Sequence, residues 1–146
     1  MNDPIKVFEG EFRFLSNYSY SPITIEKQLY PTVEHAFAAC KTLDITMKMA
    51  IANAPTPGKA KALGRKVLLR KNWDSIKFAV MEYLIILKFK DPDLRNKLLA
   101  TGERELIEGN TWGDKIWGVD LKTGIGDNNL GKTLMRVREM CRKENG

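Results

Sequence analysis

Residues 75–90, SIKFAVMEYLIILKFK, are the most apolar stretch of the chain and decide how the rest of it must fold. The pattern predicts a helix that starts at Asp74 and Ser75 and ends at Asp91-Pro92. One apolar stripe runs through positions 76, 79, 80, 83, 84 and 87, and positions 78, 81, 85, 86 and 89 cover much of the remaining surface. A helix that is apolar on most sides is buried, so we expect it at the centre of the core.

Shorter elements are predicted on both sides of this helix. Strands are expected at residues 5–14, 23–30, 105–107 and 116–121, and helices at 32–43, 45–53, 57–63, 92–100 and 130–142. Thr32 and Thr56 are placed to cap their helices, and Pro57 is a favourable first helical residue. Because helices outnumber the short strands, the sequence predicts a mainly helical α+β fold with a small β element, in a single compact domain over residues 1–146.

The excess of positive over negative charge in the chain lies in one segment. The 146 residues carry 24 Lys plus Arg against 18 Asp plus Glu, a net charge of +6. Residues 57–73 contain six basic side chains and no acidic one, and they account for the whole excess: Lys59, Lys61, Arg65, Lys66, Arg70 and Lys71. A basic segment in an otherwise neutral chain indicates either a local phosphate contact or a solvated helix face.

Several protein classes are disfavoured by what the sequence lacks. The N-terminus, MNDPIKVFEG, has no apolar signal-peptide core, and no segment is long and apolar enough to span a bilayer, so a cytoplasmic protein without membrane association is expected. His35, Cys40 and Cys141 are too few and too scattered for a typical zinc site. The two cysteines are therefore expected to be reduced thiols.

Residues 126–133, GDNNLGKT, match the phosphate-binding loop pattern GxxxxGK[ST]. Only 13 residues follow Thr133, which is too few for the parallel strands that a nucleotide hydrolase of this class requires. Two interpretations stay open for this turn. It presents backbone N–H groups and the Asn128 side chain to a phosphate or sugar, or it simply caps the last helix.

Glu34 and Lys41 stand seven positions apart in YPTVEHAFAACK, residues 30–41. On a helix this spacing places both side chains within about 20° on one face, and the small Ala38 between them is expected to leave room for a ligand. A carboxylate and an amine two turns apart are too distant for an ordinary surface pair, so they either flank a substrate or are two solvated charges. His35 points about 100° away from Glu34 and is expected to be structural.

Two further segments combine aromatic and polar residues. Residues 109–120, GNTWGDKIWGVD, place Trp112, Asp114 and Trp117 among glycines, and this suits base stacking with an acceptor for ribose hydroxyls. The alternative is that both Trp side chains belong to the core. Residues 13–18, RFLSNY, either line a nucleoside pocket or form an ordinary exit from a strand; their candidate ligand contacts are Arg13, Phe14, Ser16 and Asn17.

Six blocks in fixed order give the chain a close resemblance to the YbiA-like or NADAR (NAD and ADP-ribose related) family. They are FLSN at 14–17, YPTVEHAF with Lys41, GRKVLLRKNW at 64–73, LLATG at 98–102, WGDxxWG at 112–118, and GxNxLGxxLMxVR at 126–138. Members of that family are N-glycosidases. Some act on phosphorylated pyrimidine intermediates of riboflavin biosynthesis, and others remove ADP-ribose from guanine bases or act on related ADP-ribosyl compounds.

The resemblance implies cleavage of the bond between C1 of a phosphorylated ribose and nitrogen, without a metal or another cofactor. It implies that Glu34 is the leading acid/base group and Lys41 an active-site amine. Asp114 is the third catalytic candidate and, with Trp112 and Trp117, belongs to the sugar and base pocket. Ser16, Asn17 and Asn128 add hydrogen bonds. The family often has SNFYPSP and AFQAAK where this chain has SNYSYSP and AFAACK, which leaves the shape of the base pocket open.

Three function classes follow from these observations. The first is an N-glycosidase whose substrate is a small phosphorylated ribosyl compound or ADP-ribosylated nucleic acid. The second is a module that binds ADP-ribose or a nucleotide without turnover, which would not depend on Glu34 or Lys41. The third is a nucleic-acid-binding domain that uses the basic segment, whose affinity would fall steeply with salt. The resemblance favours the enzyme and leaves the natural substrate and the oligomeric state open.

Overall fold

The structure is a computed structural model that describes residues 3–145. The chain divides into two compact units, named here for their place in the sequence. The central unit comprises residues 17–88, and the terminal unit comprises residues 3–16 together with 89–145. Helices dominate and strands are short, so the prediction of a mainly helical α+β fold is confirmed. The single domain over residues 1–146 stays a prediction.

The central unit contains one hairpin and four helices. Its elements are β1 (Ile23–Ile25), β2 (Gln28–Tyr30), α1 (Val33–Cys40), α2 (Ile45–Ala52), α3 (Pro57–Gly64) and α4 (Trp73–Lys88). The predicted caps are present: the side chains of Thr32 and Thr56 accept hydrogen bonds from the first turns of α1 and α3, and Pro57 opens α3. These helix starts were predictable because the signals that set them are local.

Residues 23–30 form a hairpin and not the single strand that the alternation of side chains predicts. Strands β1 and β2 are antiparallel, with Ile23 opposite Tyr30. The turn between them consists of Glu26 and Lys27, which have φ angles of 49° and 69°. Two consecutive positive φ angles define a type I′ turn, for which asparagine and glycine are the usual residues. The turn was missed because its residues are atypical.

The buried face of α4 differs from the predicted stripe. Met81, Leu84, Ile85 and Lys88 are buried, whereas Tyr83, which the prediction placed in the stripe, is exposed. The prediction was wrong because a helix that is apolar on most sides does not show which side the rest of the protein covers. The unexpected consequence is a lysine within the buried face.

The backbones of helices α3 and α1 come into close contact at Gly64 and Ala38. A Cβ atom on Gly64 would lie 2.9 Å from the Cβ of Ala38 and 3.3 Å from its Cα. Ala38 is buried, so the expectation of open space above it is wrong: glycine lets α3 occupy that space. Glu34 and Lys41 therefore stand on either side of a tight contact between two helices.

The terminal unit begins without the strand predicted at residues 5–14. Ile5 forms a single parallel bridge to Leu106, and Gly10–Leu15 is a 3-10 helix. Gly10 has a φ angle of 59°, which ends any extended path before the strand can continue. The predicted strand was therefore wrong beyond its first residues.

The remainder of the terminal unit contains two helices and one very short strand pair. Its elements are α5 (Pro92–Ala100), β3 (Gly109–Asn110), β4 (Val119–Asp120) and α6 (Asn129–Asn145). Strands β3 and β4 are parallel, and residues 105–107 contribute only the bridge at Leu106. Both predicted helices are confirmed. The GxxxxGK[ST] match spans the start of α6, beside a parallel pair of only two residues per strand.

Two smaller expectations concern membranes and thiols. Within residues 3–145, no helix combines the length and apolar character that crossing a membrane requires. Cys40 and Cys141 are both free, as expected. Burial raises the pKa of each thiol above its usual value.

The close contact between α1 and α3 predicts that Gly64→Ala destabilises the protein by about 1–3 kcal/mol, because the added methyl group has no space against Ala38. Gly58→Ala is the matched control in the same helix: its Cβ would meet only the Oγ1 of Thr56, at 3.9 Å. Urea unfolding of both variants measures the difference. Equal stability of the two variants would contradict the packing described here.

Candidate active site

The N-terminus of α1 is fixed by a buried hydrogen-bond network. The Oγ1 of Thr32 accepts from the backbone N–H of His35 at 3.1 Å and lies 2.8 Å from its Nδ1. The Nε2 of His35 lies 3.0 Å from the carbonyl oxygen of Ala54, which can only accept, so Nε2 donates and Nδ1 accepts from Thr32. The expectation of a structural His35 is thereby confirmed, and Glu34 lies in a rigid first turn.

Glu34 and Lys41 interact electrostatically across the face of α1. Burial lowers the pKa of Lys41, and the charge of Glu34 opposes that shift. The Nζ of Lys41 lies 5.9 Å from the centre of the Phe37 ring, and Phe37 in turn packs on Trp73 with ring centres 5.2 Å apart. The structure therefore brings this predicted pair together, with an amine that is easier to deprotonate than an ordinary lysine.

Asn17 belongs to the same unit and is connected directly to Glu34. Its carbonyl oxygen accepts the backbone N–H of Glu34 at 3.1 Å. Its side chain is 9% exposed, and its Nδ2 donates to the Sδ of Met81 at 3.6 Å. The buried Oδ1 has no hydrogen-bond partner among the described residues. Such an oxygen is costly unless a water molecule or a ligand donates a hydrogen bond to it, and a substrate contact of Asn17 would meet this need.

Lys88 is a buried polar residue of the central unit whose burial the sequence did not predict. It is 1% exposed, and its Nζ donates to the Oγ of Ser19 at 3.3 Å. Burial lowers its pKa to about 7. Asn17 and Ser19 thus bind two residues of α4 that are seven positions apart, Met81 and Lys88. Both contacts hold the loop that carries Asn17, so Lys88 is a positioning residue for that loop.

The candidate residues before the central unit lie in and just after the 3-10 helix. Arg13 is exposed, and its carbonyl oxygen accepts the backbone N–H of Ser16 at 2.9 Å. Phe14 packs edge-on against Phe89 with ring centres 6.4 Å apart, and Lys97 lies 5.9 Å from the centre of its ring. The Phe14 ring is therefore engaged in packing within the terminal unit.

Asn110 organises the loop that carries Asp114. It is buried, its Nδ2 donates to the Oε2 of Glu108 and the carbonyl oxygen of Asp114, and its Oδ1 accepts from the N–H of Asp114, all at 2.9 to 3.0 Å. The Oδ1 of Asp114 then accepts the backbone N–H groups of Ile116 and Trp117 at 3.1 and 2.9 Å. One carboxylate oxygen of Asp114 is therefore used to shape the loop.

The two candidate Trp side chains differ in environment. Trp112 is 68% exposed, so the alternative that it is a core residue is wrong, whereas Trp117 is half-buried. The loop passes close to Glu108, and a Cβ atom on Gly118 would overlap the Oε2 of that residue. Glycine at this position lets the Glu108 carboxylate lie against the backbone. An exposed indole beside a rigid loop is available for stacking.

The side chain of Asn128 makes two hydrogen bonds within its own unit. Its Oδ1 accepts the backbone N–H of Glu108 at 3.0 Å, and its Nδ2 donates to the carbonyl oxygen of Leu106 at 3.0 Å. The residue has a φ angle of 53°, a conformation that asparagine tolerates better than most residues. A substrate contact of Asn128 stays a prediction; in the structure its side chain ties the residue before α6 to residues 106 and 108.

The candidate residues are thus distributed over both units. The central unit brings together Asn17, Glu34 and Lys41; the terminal unit carries Arg13, Phe14, Ser16, Trp112, Asp114, Trp117 and Asn128. Lys88 and Asn110 were missed because burial of a polar side chain depends on tertiary packing. Within residues 3–145, no group of three or more His, Cys, Asp or Glu residues is arranged to hold a metal ion.

Comparison with known proteins gives consistent matches. The family described as NADAR domain matches residues 6–142. The chain is 40% identical over 133 residues to a protein named N-glycosidase YbiA from Escherichia coli (strain K12), covering 89% of this chain and 80% of that protein. It is 34% identical over 144 residues to a protein named Riboflavin biosynthesis protein VVA0006 from Vibrio vulnificus (strain YJ016), covering 95% of this chain and 39% of that one.

A solved structure matches over almost the whole chain. The NMR structure of the Escherichia coli protein YbiA superimposes with a TM-score of 0.86 at 36% sequence identity. The match covers 99% of this chain and 89% of that chain. The fold described above is therefore shared with that protein.

The buried amine of Lys88 predicts a specific dependence of stability on pH. Between pH 7 and 10.5 the unfolded chain binds a proton at this residue that the folded chain does not. The free energy of unfolding of the unmodified protein, relative to Lys88→Met, should therefore rise with pH across this range by up to about 1.4 kcal/mol per pH unit.

Chemical denaturation of the unmodified protein and of Lys88→Met gives the free energy of unfolding of each. The measurements are made at several pH values between 7 and 10, which lie between the folded and the unfolded pKa of Lys88. Lys90→Met, at an exposed lysine, provides the control and should show no such trend. A difference between Lys88→Met and the unmodified protein that stays constant with pH would contradict a depressed pKa at Lys88.

Proposed function

The chain belongs to the NADAR domain family, and on that basis we propose that it is an N-glycosidase that hydrolyses the C1–N bond of a phosphorylated ribosyl compound. The substrate is either an ADP-ribose derivative, such as ADP-ribosylated guanine, or a ribosylamino-pyrimidine phosphate. The second choice is supported by the relative whose name refers to riboflavin biosynthesis. The chain spans 39% of that relative, so its substrate is carried over only as a candidate.

The observation that carries this proposal is the Glu34–Lys41 pair. A carboxylate lies on one helix face with an amine whose pKa is lowered by burial, and the charge of Glu34 acts on that amine. Cleavage of an N-glycosidic bond needs a proton donor for the leaving nitrogen and a nucleophile for C1. The pair supplies both kinds of group without a metal ion.

In the first route, Glu34 is the general acid. Its carboxylic acid proton passes to the leaving nitrogen while the C1–N bond breaks and its electron pair moves to nitrogen. Water then adds to the oxocarbenium-like C1, and the Glu34 carboxylate accepts the proton that water loses. Asp114 would stabilise the positive charge that develops on the sugar ring.

In the second route, Lys41 is the nucleophile and the substrate is a ribosylamine. The ribose ring opens to an imine at C1, the neutral amine of Lys41 adds to that carbon, and the base leaves as an amine. The resulting lysine imine is hydrolysed by water to the free sugar. Because burial favours the neutral amine, the site suits this step, and borohydride trapping of the imine distinguishes it from the first route.

The remaining candidates bind the substrate in this proposal. Trp112 and Trp117 stack on the base, and Asn17 accepts a hydrogen bond from a sugar hydroxyl through its buried Oδ1. Arg13, Phe14, Ser16 and Asn128 complete the set expected from the sequence. Asn110 is added as a positioning residue, because it fixes the loop that presents Asp114.

The function is tested by incubating the protein with a ribosylamino-pyrimidine phosphate, an ADP-ribosylated guanine compound and another ADP-ribose derivative. Mass spectrometry should detect a released base and the matching phosphorylated sugar from at least one of them. Glu34→Gln should lower the rate of release by about 10²–10⁴-fold if Glu34 transfers the proton.

Glu26→Gln is the matched control, since it makes the same chemical change at an exposed residue of the same unit. Its rate should equal that of the unmodified protein. Release of base at a near-normal rate by Glu34→Gln would remove Glu34 from the proton-transfer role. Absence of release from all three substrate classes would contradict the proposed function.

A further inference from the structure

The basic segment divides between two faces of α3. Lys59 and Lys66 line an open cleft of about 390 Å³ between α2 and α3, with apolar side chains such as Ala50 and Leu63 beside them. At 100° per residue, Lys61 lies about 200° around the helix from Lys59. The basic residues of this segment therefore cannot all contact one ligand.

Lys61 and Arg65 lie where α3 meets α1. Arg65 follows directly on Gly64, the residue that packs against Ala38, and Lys61 is one turn earlier on the same side. The contact between Gly64 and Ala38 thus brings the end of α3 onto the helix face that carries Glu34 and Lys41. Consistent with this placement, the positive charges of Lys61 and Arg65 lower the pKa of Lys41.

Helix α4 contributes a further cation to the same region. The charge of Lys77 also lowers the pKa of Lys41, and its Nζ lies 3.4 Å from the Oδ1 of Asp74 in a surface ion pair. The charges that act on Lys41 are therefore three cations and one carboxylate, that of Glu34. Together with Lys41 at the end of α1, these cations of α3 and α4 form a surplus of positive charge that is suited to an anionic ligand.

Resting on the proposed N-glycosidase activity, we propose that Lys61 and Arg65 bind the phosphate group of the ribosyl substrate and hold its sugar beside Glu34 and Lys41. A guanidinium group matches two phosphate oxygens at once, and an ammonium group adds a mobile point charge. Lys59 and Lys66 carry the same charge on the other side of α3 and are not part of this subsite. The segment that dominates the net charge thus contributes two of its six basic residues to substrate binding.

The test compares four substitutions that each remove one positive charge. Lys61→Gln and Arg65→Gln alter the proposed subsite, and Lys59→Gln and Lys66→Gln are the matched controls on the cleft. Binding of ribose 5-phosphate, with ribose as the uncharged comparison, is followed by NMR titration at low salt. The first two substitutions should weaken ribose 5-phosphate binding about tenfold, and the controls by less than about twofold.

Kinetics provide a second readout on any substrate that the protein hydrolyses. Loss of a phosphate contact that is equal in the ground and transition states should raise KM and leave kcat near its original value. Arg65 also ends α3, so unfolding curves of Arg65→Gln accompany the titration. If that variant does not fold, Lys61→Gln carries the test with the same expected result.

Two outcomes would overturn the phosphate subsite: unchanged ribose 5-phosphate binding in Lys61→Gln and Arg65→Gln, or an equal loss in all four variants. The second would indicate general electrostatic attraction only. Binding does not require turnover, so the two proposals fail separately. If Lys61→Gln and Arg65→Gln lose ribose 5-phosphate binding but the protein hydrolyses no substrate, the subsite is supported and the N-glycosidase activity is contradicted. If the protein hydrolyses a substrate but these variants bind ribose 5-phosphate normally, the activity is supported and the subsite is contradicted.

Discussion

The contact between Gly64 and Ala38 is the constraint on which the candidate site depends. It requires glycine on one helix and a small residue on the other, since any larger pair would separate α3 from α1. The spacing of α1 places Glu34 one turn before this contact and Lys41 one turn after it. Packing and chemistry therefore share one helix face: the same close approach that stabilises the central unit partly buries Lys41 and brings α3 to its side.

Burial and charge act together on that lysine. Desolvation lowers its pKa, neighbouring cations lower it further, and Glu34 restrains the shift. An amine in this balance feels the charge of its carboxylate partner and is still more easily deprotonated than a solvated lysine. The same unit buries Asn17 and Lys88 along the loop and helix that support Glu34. Buried polar groups of this kind are costly to stability, and groups with perturbed pKa values cluster at functional sites.

Local signals in the sequence were sufficient for the helices and insufficient for the faces they bury. Thr32 and Thr56 mark helix starts because their side chains bond within one turn. By contrast, the exposed side of α4 depends on what packs against it, and its apolar pattern does not reveal that. The turn at Glu26 and Lys27 was missed because its backbone conformation is imposed by the pairing of two strands. The spacing of Glu34 and Lys41 predicted that they share one helix face. Their catalytic role was predicted only by the resemblance to a known family.

The central claim is that Glu34 and Lys41 form one electrostatic unit on α1. It is tested most directly by measuring the pKa of the Lys41 amine by NMR in the unmodified protein and in Glu34→Gln. We predict a pKa below the ordinary 10.5 in the unmodified protein, and a lower one still in Glu34→Gln, because the carboxylate that favours the charged amine is gone. An ordinary pKa that does not respond to the substitution would contradict it.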